Sequence, residues 1–429
     1  MATIRPFTAR RYSDSAGALG DLVAPPYDVL SSDDRERFAA KNPHNVMWLT
    51  LPETCENDRS QFVKYARSAS RFAEWSRNGT IVSDPEQAYY LYRQNFLNPV
   101  TNTPAVRTQI MVTLKLEPYE NGVVLPHEQT FPKHKQDRLR LLEAVRAHLE
   151  SIYGLYQDDG GRIARTISAC DWKPIERVQT DDGIEHTVFR CGDPEANRAI
   201  TESFADQKIW IADGHHRYET ALNFRASAGA HESEIAEDFM MIGLSAMNDP
   251  GLALLATHRI VNRFPFDLSM AEAKLETLFN VRKQPNSMLP QIIAELANPD
   301  TRAFGVALPG GVGILATLDR PEDALKWIEG EGSDQLKLLD VTILHSVILE
   351  KLFEISGSER IEYTRDANEA LKRVESSTDT AAFLMNPPSV AEMRKIAEGG
   401  EKMPQKSTFY YPKLLSGLLF WSLSDFKQP

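Results

Sequence analysis

The chain has 429 residues, 42% of them apolar and 25% charged, enough for two or three domains with sizeable cores. A net charge of −12, with no long Lys/Arg block to offset it, disfavours a protein whose main task is gripping nucleic acid. Cys55, Cys170 and Cys191 are odd in number and far apart, which excludes a disulfide framework or a Cys-x-x-Cys metal hook and points to a reducing compartment. The opening MATIRPFTARRYSDSAG has no apolar core of signal-peptide length, and no apolar run is as long as a membrane span. The expectation is a cytoplasmic protein without a membrane segment.

Along the chain, Val23 to Val29 reads as a rigid extended stretch, because Pro25 and Pro26 fix φ and push their predecessors toward β geometry. SSDDRERFAAKNPHNV follows as a cap and a short helix closed by Asn42-Pro43, and Trp48 to Leu51 looks like a strand. Residues 59–77 form a helix with Phe62, Tyr65, Ala66 and Phe72 inward and Asn78-Gly79 ending it. Two antiparallel strands are expected at 89–96 and 108–119, with a turn at Asn121-Gly122. An amphipathic helix is expected at 134–149, then strands at 153–156 and 186–192 and a helix after Asp193-Pro194. A strand at 240–246 ends in Asn248-Asp249-Pro250-Gly251. Beyond about 265 helices alternate with short strands, and FGVALPGGVGILATL reads as a hairpin, since its GGVG lacks the following Lys-Ser/Thr of a phosphate loop.

The most informative stretch is IWIADGHHRYETAL at 209–222. A strand runs through Ile209, Trp210 and Ile211 into a turn, and a helix opens with His215, His216 and Arg217 in its first turn. Asp213 is expected as the N-cap, with Gly214 allowing a close bend. Basic residues at a helix start make sense if an anion sits among them, held by backbone N–H groups and the fork of Arg217. The competing reading is an ordinary Asp213–Arg217 ion pair with surface histidines.

A second polar constellation covers His127, Glu128, Lys135, Asp137 and Arg138. It is not a zinc-protease motif, because position 131 is Phe131 where a second histidine is needed and Pro132 should disrupt the helix. His134 and Arg138 share a helix face. Such residues suit phosphoryl chemistry: Lys135, Arg138 and Arg217 to neutralise phosphate charge, Glu128 or Asp213 to accept a proton, and a divalent ion on Glu128 and Asp137. The plain alternative is a surface ion network. A third run, MPQKSTFYYPKL at 403–414, offers Lys406 and Ser407 as phosphate contacts or a packing segment; side chains alternate along a strand, so Phe409, Tyr410 and Tyr411 cannot all face one core. Arg93 and Arg107 could line a basic floor or pair with a carboxylate on the sheet face, and His258-Arg259 reads first as a structural pair.

At DGHHRYETAL the chain resembles the ParB and sulfiredoxin-like superfamily, whose Gly-x-x-Arg signature matches Gly214, His215, His216 and Arg217. With APPYDVL, NPHNV, HEQTFPKHKQDRL and MPQKSTFYYPKL it is similar to a widespread bacterial family of uncharacterised ParB-like proteins. The resemblance implies an α+β fold: a ParB/sulfiredoxin-like core with a mixed or antiparallel sheet, over residues 1–265 with an N-terminal elaboration, and a C-terminal α+β region at 266–429 packing back on it. It further implies a nucleotide- or phosphate-dependent phosphotransferase or phosphohydrolase acting on a small hydroxyl metabolite, as a serine kinase does, with ATP or ADP and Mg2+. The set then carries catalytic His127, Glu128, Asp213, His215 and His216, cofactor contacts at Gly214, Arg217, Lys135, Arg138, Lys406 and Ser407, and metal ligands Glu128 and Asp137. The two clusters are expected to share one pocket. No cysteine lies beside Arg217 to serve sulfiredoxin chemistry, and no helix-turn-helix adjoins the motif. The alternatives are a nucleotide- or nucleic-acid-binding regulator without catalysis, and a scaffold whose polar residues are dispersed. Oligomeric state is not readable.

Overall fold

The computed structural model describes residues 1–130, 132–298, 300–356, 358–404 and 406–428, with side chains for all of these except 132–134 and 358. The chain forms two compact units. The first comprises 1–126, 130–253 and 412–429; the second comprises 127–129 and 254–411. The division expected at 265 falls inside the second unit, and the last eighteen positions belong to the first.

The first unit is built on a mixed sheet of nine strands. They are β1 (Ile4–Arg5), β2 (Tyr89–Leu97), β3 (Pro104–Lys115), β4 (Val124–Leu125), β5 (Ile152–Tyr156), β6 (Lys173–Gln179), β7 (Glu185–Cys191), β8 (Ile209–Asp213) and β9 (Phe239–Ala246). The order is β4-β8-β5-β9-β3-β2-β7-β6, with β1 on β3. The pairs β8 with β4 and β9 with β5 are parallel and the rest antiparallel. Strands β5, β8 and β9 are near-continuous apolar runs, as parallel pairing covered on both faces requires. Ile152, Ile209, Ile211 and Ile242 are fully buried and form the centre of the core.

Helices α1 (Ser32–Lys41), α2 (Val63–Arg77), α3 (Pro132–Val145), α4 (Pro194–Ser203) and α5 (His215–Ser227) flank this sheet. Ser31 and Asp34 form a capping box on α1, and the Asp193 carboxylate caps α4 as its sequence suggests. A second core joins Tyr65, Phe72 and Trp75 of α2 to Leu141 and Val145 of α3 and to Phe420.

The second unit carries an all-antiparallel six-stranded sheet. Its strands are β10 (His258–Val261), β11 (Asn280–Pro285), β12 (Arg302–Ala307), β13 (Val312–Leu318), β14 (Ile361–Thr364) and β15 (Ala381–Met385), in the order β11-β13-β12-β15-β10-β14. Helices α6 (Leu289–Glu295) and α7 (Ala367–Glu375) bury Leu289, Ile293, Ala370 and Val374 against Ile260, Ala303 and Leu384. The GGVG stretch is the turn between β12 and β13, with Gly310 and Gly311 at positive φ.

The fold is α+β with a large mixed sheet, and three local expectations change. Met47–Thr50 is a helical turn instead of a strand, because the Asn45 side chain accepts the Met47 N–H at 2.9 Å and starts a turn there. Pro132 opens α3 instead of breaking it, since the first helical position needs no N–H donor. Asp213 is the last residue of β8; Gly214, at φ 94°, is the N-cap of α5, which has no side-chain cap.

Gly214 is demanded twice. Its φ lies in the left-handed region, and a Cβ there would stand 2.6 Å from Ile152 Cγ2. Gly122, at φ 63°, has open space around it. Gly214→Ala should therefore lower the unfolding free energy by roughly 2–4 kcal/mol, combining left-handed strain with overpacking, and Gly122→Ala by only about 1 kcal/mol. Urea denaturation of both variants checks this, and equal losses would remove the steric part of the argument.

Candidate functional site

The residues that gather most charge in the first unit lie where β8 passes into α5. β8 delivers Asp213, the bend at Gly214 turns the chain, and the first turn of α5 presents Arg217. Pro25 and Pro26 hold the N-terminal segment extended, so that the short turn Tyr27–Val29 brings Tyr27 and Asp28 to the same place. The strand-leading residues Glu150 and Ser151 enter from before β5, and Lys413 comes from the C-terminal segment.

Arg217 is the hub. Its Nη1 donates to the Ser151 carbonyl oxygen at 2.8 Å and its Nη2 to Asp213 Oδ2 at 3.1 Å, with Asp28 Oδ2 at 3.7 Å. Nε is buried with no partner. Lys413 Nζ donates to the other oxygen of Asp213. Glu150 Oε1 accepts from the Tyr27 N–H at 3.1 Å and from Ser416 Oγ at 2.8 Å, which fixes the Asp28 turn. The Tyr27 ring lies beneath two guanidinium groups, 4.2 Å from Arg138 Cζ and 5.9 Å from Arg217 Cζ. Fully buried Arg107 bonds Gln94 and the Pro412 carbonyl, and Gln94 Nε2 donates to the Lys413 carbonyl at 2.9 Å, so Lys413 is held from behind.

The two aspartates differ. The Asp213 and Arg217 side chains are 20% and 9% exposed, whereas that of Asp28 is 35% exposed. Burial and the neighbouring Asp213 charge push the Asp28 carboxyl above its usual range, against Arg217 and Lys413. Burial also works against Asp213, but Lys413 and Arg217 outweigh it and hold that carboxyl below the usual range. One carboxylate is a locked charge and the other is accessible and proton-ready. That contrast is the chemical content of the site.

Sequence reasoning placed Asp213, Gly214 and Arg217 here and left out Tyr27, Asp28, Glu150 and Lys413. The Pro-Pro-Tyr-Asp stretch was the available signal for Asp28, because two prolines make an expensive way to place an ordinary loop residue. The Asp213–Arg217 ion pair of the plainer reading does form. His215 is buried and His216 half-buried at the start of α5.

The other sites expected from the sequence are engaged elsewhere. Lys135 Nζ bonds Glu219 at 2.7 Å and lines an open cleft of about 550 Å³ with Tyr119, Arg225 and His231. Glu219 is two residues beyond Arg217 and so on another face of α5. Arg138 is 7% exposed and donates to the Thr50 carbonyl at 2.7 Å and to Asp137. Asp137, expected as a metal ligand, accepts from Lys64 at 2.9 Å, Tyr65 at 2.6 Å and Arg138. Among the described residues no group of three His, Cys, Asp or Glu side chains could hold a metal ion. His127 and Glu128 belong to the second unit, as do Lys406 and Ser407. There the His127 ring meets Thr408 Oγ1 at 2.9 Å, Glu128 Oε1 accepts from the Lys406 N–H at 2.9 Å, and Ser407 Oγ donates to the Pro404 carbonyl. His134 has a side chain outside those described.

The raised Asp28 carboxyl predicts a sign for pH dependence. The folded protein holds its proton more tightly than the unfolded chain, so ionisation of Asp28 costs stability above its folded pKa and nothing below the unfolded value. Asp28→Asn should melt higher than the wild-type protein at pH 8, with the difference shrinking toward pH 4. A melting difference that grows as pH falls would contradict the assignment.

No curated protein matches the chain. Among solved structures it is similar to SbnI with a C-terminal truncation from Staphylococcus aureus, at 11% identity over 70% of this chain and 85% of that one, with a TM-score of 0.36. It is also similar to a mutant free serine kinase in complex with ADP, at 14% identity over 70% and 87% with a TM-score of 0.35, and to a conserved hypothetical protein from Pyrococcus furiosus, at 13% over 74% and 97% with a TM-score of 0.33. Likenesses of this level carry no argument about activity. No helix among the described residues is long and apolar enough to cross a membrane. The resemblance to ParB and sulfiredoxin-like proteins is overturned, since neither family matches and the Gly-x-x-Arg segment here builds an internal ion cluster around Arg217. The family model that does match spans residues 4–342, and the chain belongs to that family, DUF1015, described as a protein of unknown function.

Proposed function

We propose that the first unit transfers a phosphoryl group from a nucleotide, ATP or ADP, to a small hydroxyl metabolite, with Asp28 as the base that takes the hydroxyl proton. The observation that carries this reading is the divergence of the two aspartates on either side of Arg217. A carboxylate of raised proton affinity that solvent can reach is a stronger base than an ordinary aspartate, while Asp213 keeps Arg217 and Lys413 in place.

In this scheme the acceptor oxygen bonds to the terminal phosphorus as the bridging oxygen–phosphorus bond of the nucleotide breaks. The proton passes to Asp28 and the shortened nucleotide leaves. Arg217 and Lys413 supply positive charge close to where negative charge collects on the transferring oxygens. Mg2+ would enter with the nucleotide, held chiefly by its phosphate oxygens and by water. The His215 and His216 imidazoles stand at the start of α5 as further proton carriers.

The purified chain incubated with ATP or ADP and a panel of hydroxyl metabolites including free serine, read for both transfer and phosphate release, tests the activity. Asp28→Asn should lower kcat by about 100-fold or more with little change in KM for the nucleotide, as loss of a general base does. Arg217→Lys should keep part of the activity lost in Arg217→Ala, because a point charge replaces the fork incompletely. Full turnover in Asp28→Asn would sink the assignment.

A further inference from the structure

One face of the first unit's sheet carries polar rows that the cluster around Arg217 does not use. Cross-strand register sets Thr187 of β7 directly opposite both Arg93 of β2 and Arg177 of β6, so these three side chains share a face. The next row on that face pairs Asn95 with Glu185, and the row on the other side pairs Phe189 with Leu91. Helix α4 covers the Tyr89 end of the face, where the Tyr89 hydroxyl meets Thr201 Oγ1 at 2.7 Å. Farther along the strands, Arg93, Thr187, Phe189 and Ile175 line an open groove of about 520 Å³.

The charges along this groove are not equally committed. Glu185 accepts from Asn95 Nδ2 at 2.7 Å and from Arg177 Nε at 3.0 Å. Arg177, then Asn95, hold its carboxyl below the usual range. Glu176 accepts from Arg11 Nη1 at 2.9 Å. Arg93 differs from these. Its guanidinium lies over the Phe189 ring, Cζ 5.1 Å from the centroid, and among the described residues its side chain makes no ion pair and no hydrogen bond. Both Arg93 and Phe189 are half-buried. Glu185 stands diagonal to Arg93 across the strands, within reach of a long side chain, but it is taken by Arg177 and Asn95. Attraction to a ring face does not use up the N–H donors of a guanidinium, so the fork of Arg93 keeps its hydrogen-bonding capacity.

We propose that this groove is a carboxylate-binding site, in which Arg93 presents its fork to a singly charged organic acid whose apolar part lies along Phe189 and Ile175. One uncommitted cation matches one negative charge, while Glu185 and Glu176 in the groove wall repel a dianion, which selects carboxylate over phosphate. The Thr187 hydroxyl, opposite Arg93 on β7, is a further donor on the same face. A free organic acid and a glutamate of a bound peptide offer the same group. The site does not rest on the activity proposed for Asp28 and Arg217.

NMR titration of the labelled full-length chain with benzoate tests it, read at the Thr187 and Phe189 amide resonances, with benzamide as the neutral isostere and phenyl phosphate as the dianion. Benzoate should bind about tenfold or more tighter than benzamide, and tighter than phenyl phosphate. Arg93→Met, which keeps an unbranched side chain over Phe189, should weaken benzoate binding by about tenfold or more. Arg93→Lys should weaken it less, because a point charge lacks the fork. Arg93→Gln removes the charge in a second way and decides the matter if Arg93→Met does not fold. Asp28→Asn should leave benzoate binding unchanged, which separates this groove from the site around Arg217. The blocked peptide acetyl-Val-Glu-Val-amide identifies the source: tighter binding than benzoate assigns a peptide, weaker binding a free acid. Absence of benzoate binding at these resonances, tighter binding of phenyl phosphate, or equal benzoate affinity in the wild-type protein and the charge-removing variants would overturn the proposal.

Discussion

Everything around the candidate site of the first unit depends on one buried guanidinium. Arg217 can stay charged at 9% exposure only because Asp213, Asp28 and the Ser151 carbonyl surround it, and those groups come from three distant parts of the chain. Burial alone would disfavour that charge, and the carboxylates more than offset it. Removing Asp213 would leave both Arg217 and Lys413 without their shared counter-charge, a loss of roughly 3–5 kcal/mol for a buried pair. The cluster therefore ties the Pro25-Pro26 segment, the entry to β5 and the C-terminal segment to the β8–α5 bend. Stability and chemistry are drawn from the same groups.

That coupling explains why the two aspartates can differ. Two carboxylates close together cannot both ionise freely, and the one with the better cation partner wins. Asp213 has both Lys413 and Arg217 within bonding distance, while Asp28 has Arg217 only at 3.7 Å and the repulsion of Asp213. The arrangement of Gln94 and Arg107 behind Lys413 is then a positioning device: it holds the Pro412-Lys413 backbone, and through it the ammonium that decides which aspartate keeps its charge.

The two units place arginine in opposite settings. Arg217 is surrounded by carboxylates and fully accounted for except at Nε, whereas Arg259 is surrounded by neutral groups. Burying a cation among neutral acceptors adds nothing to stability that an apolar residue of the same size would not add. The second unit already has an apolar core of Ile260, Leu289, Val374 and Leu384 to hold its sheet.

Local order was legible in the sequence wherever one face of an element decides its conformation. The aromatic run at 89–96, the apolar strand before Asp213, the Asp193-Pro194 helix start and the hairpin around Gly310-Gly311 follow from periodicity, capping and turn chemistry that act within a few residues. The same holds for the importance of Asp213, Gly214 and Arg217, which share one short segment. What the sequence could not carry was partnership. Lys135 goes to Glu219 and Asp137 to Lys64 and Tyr65, because such partners are chosen by proximity after folding, and proximity across 70 or more residues leaves no local trace. Asp28 and Lys413 reach Asp213 and Arg217 for the same reason, and the split between the aspartates arises only there. The residue types, and with them the available charges, were determined by the sequence alone. Which charges meet, and so which carboxylate has the higher proton affinity, only the tertiary structure decided, because burial and Coulomb interaction depend on distances that exist only in the folded chain.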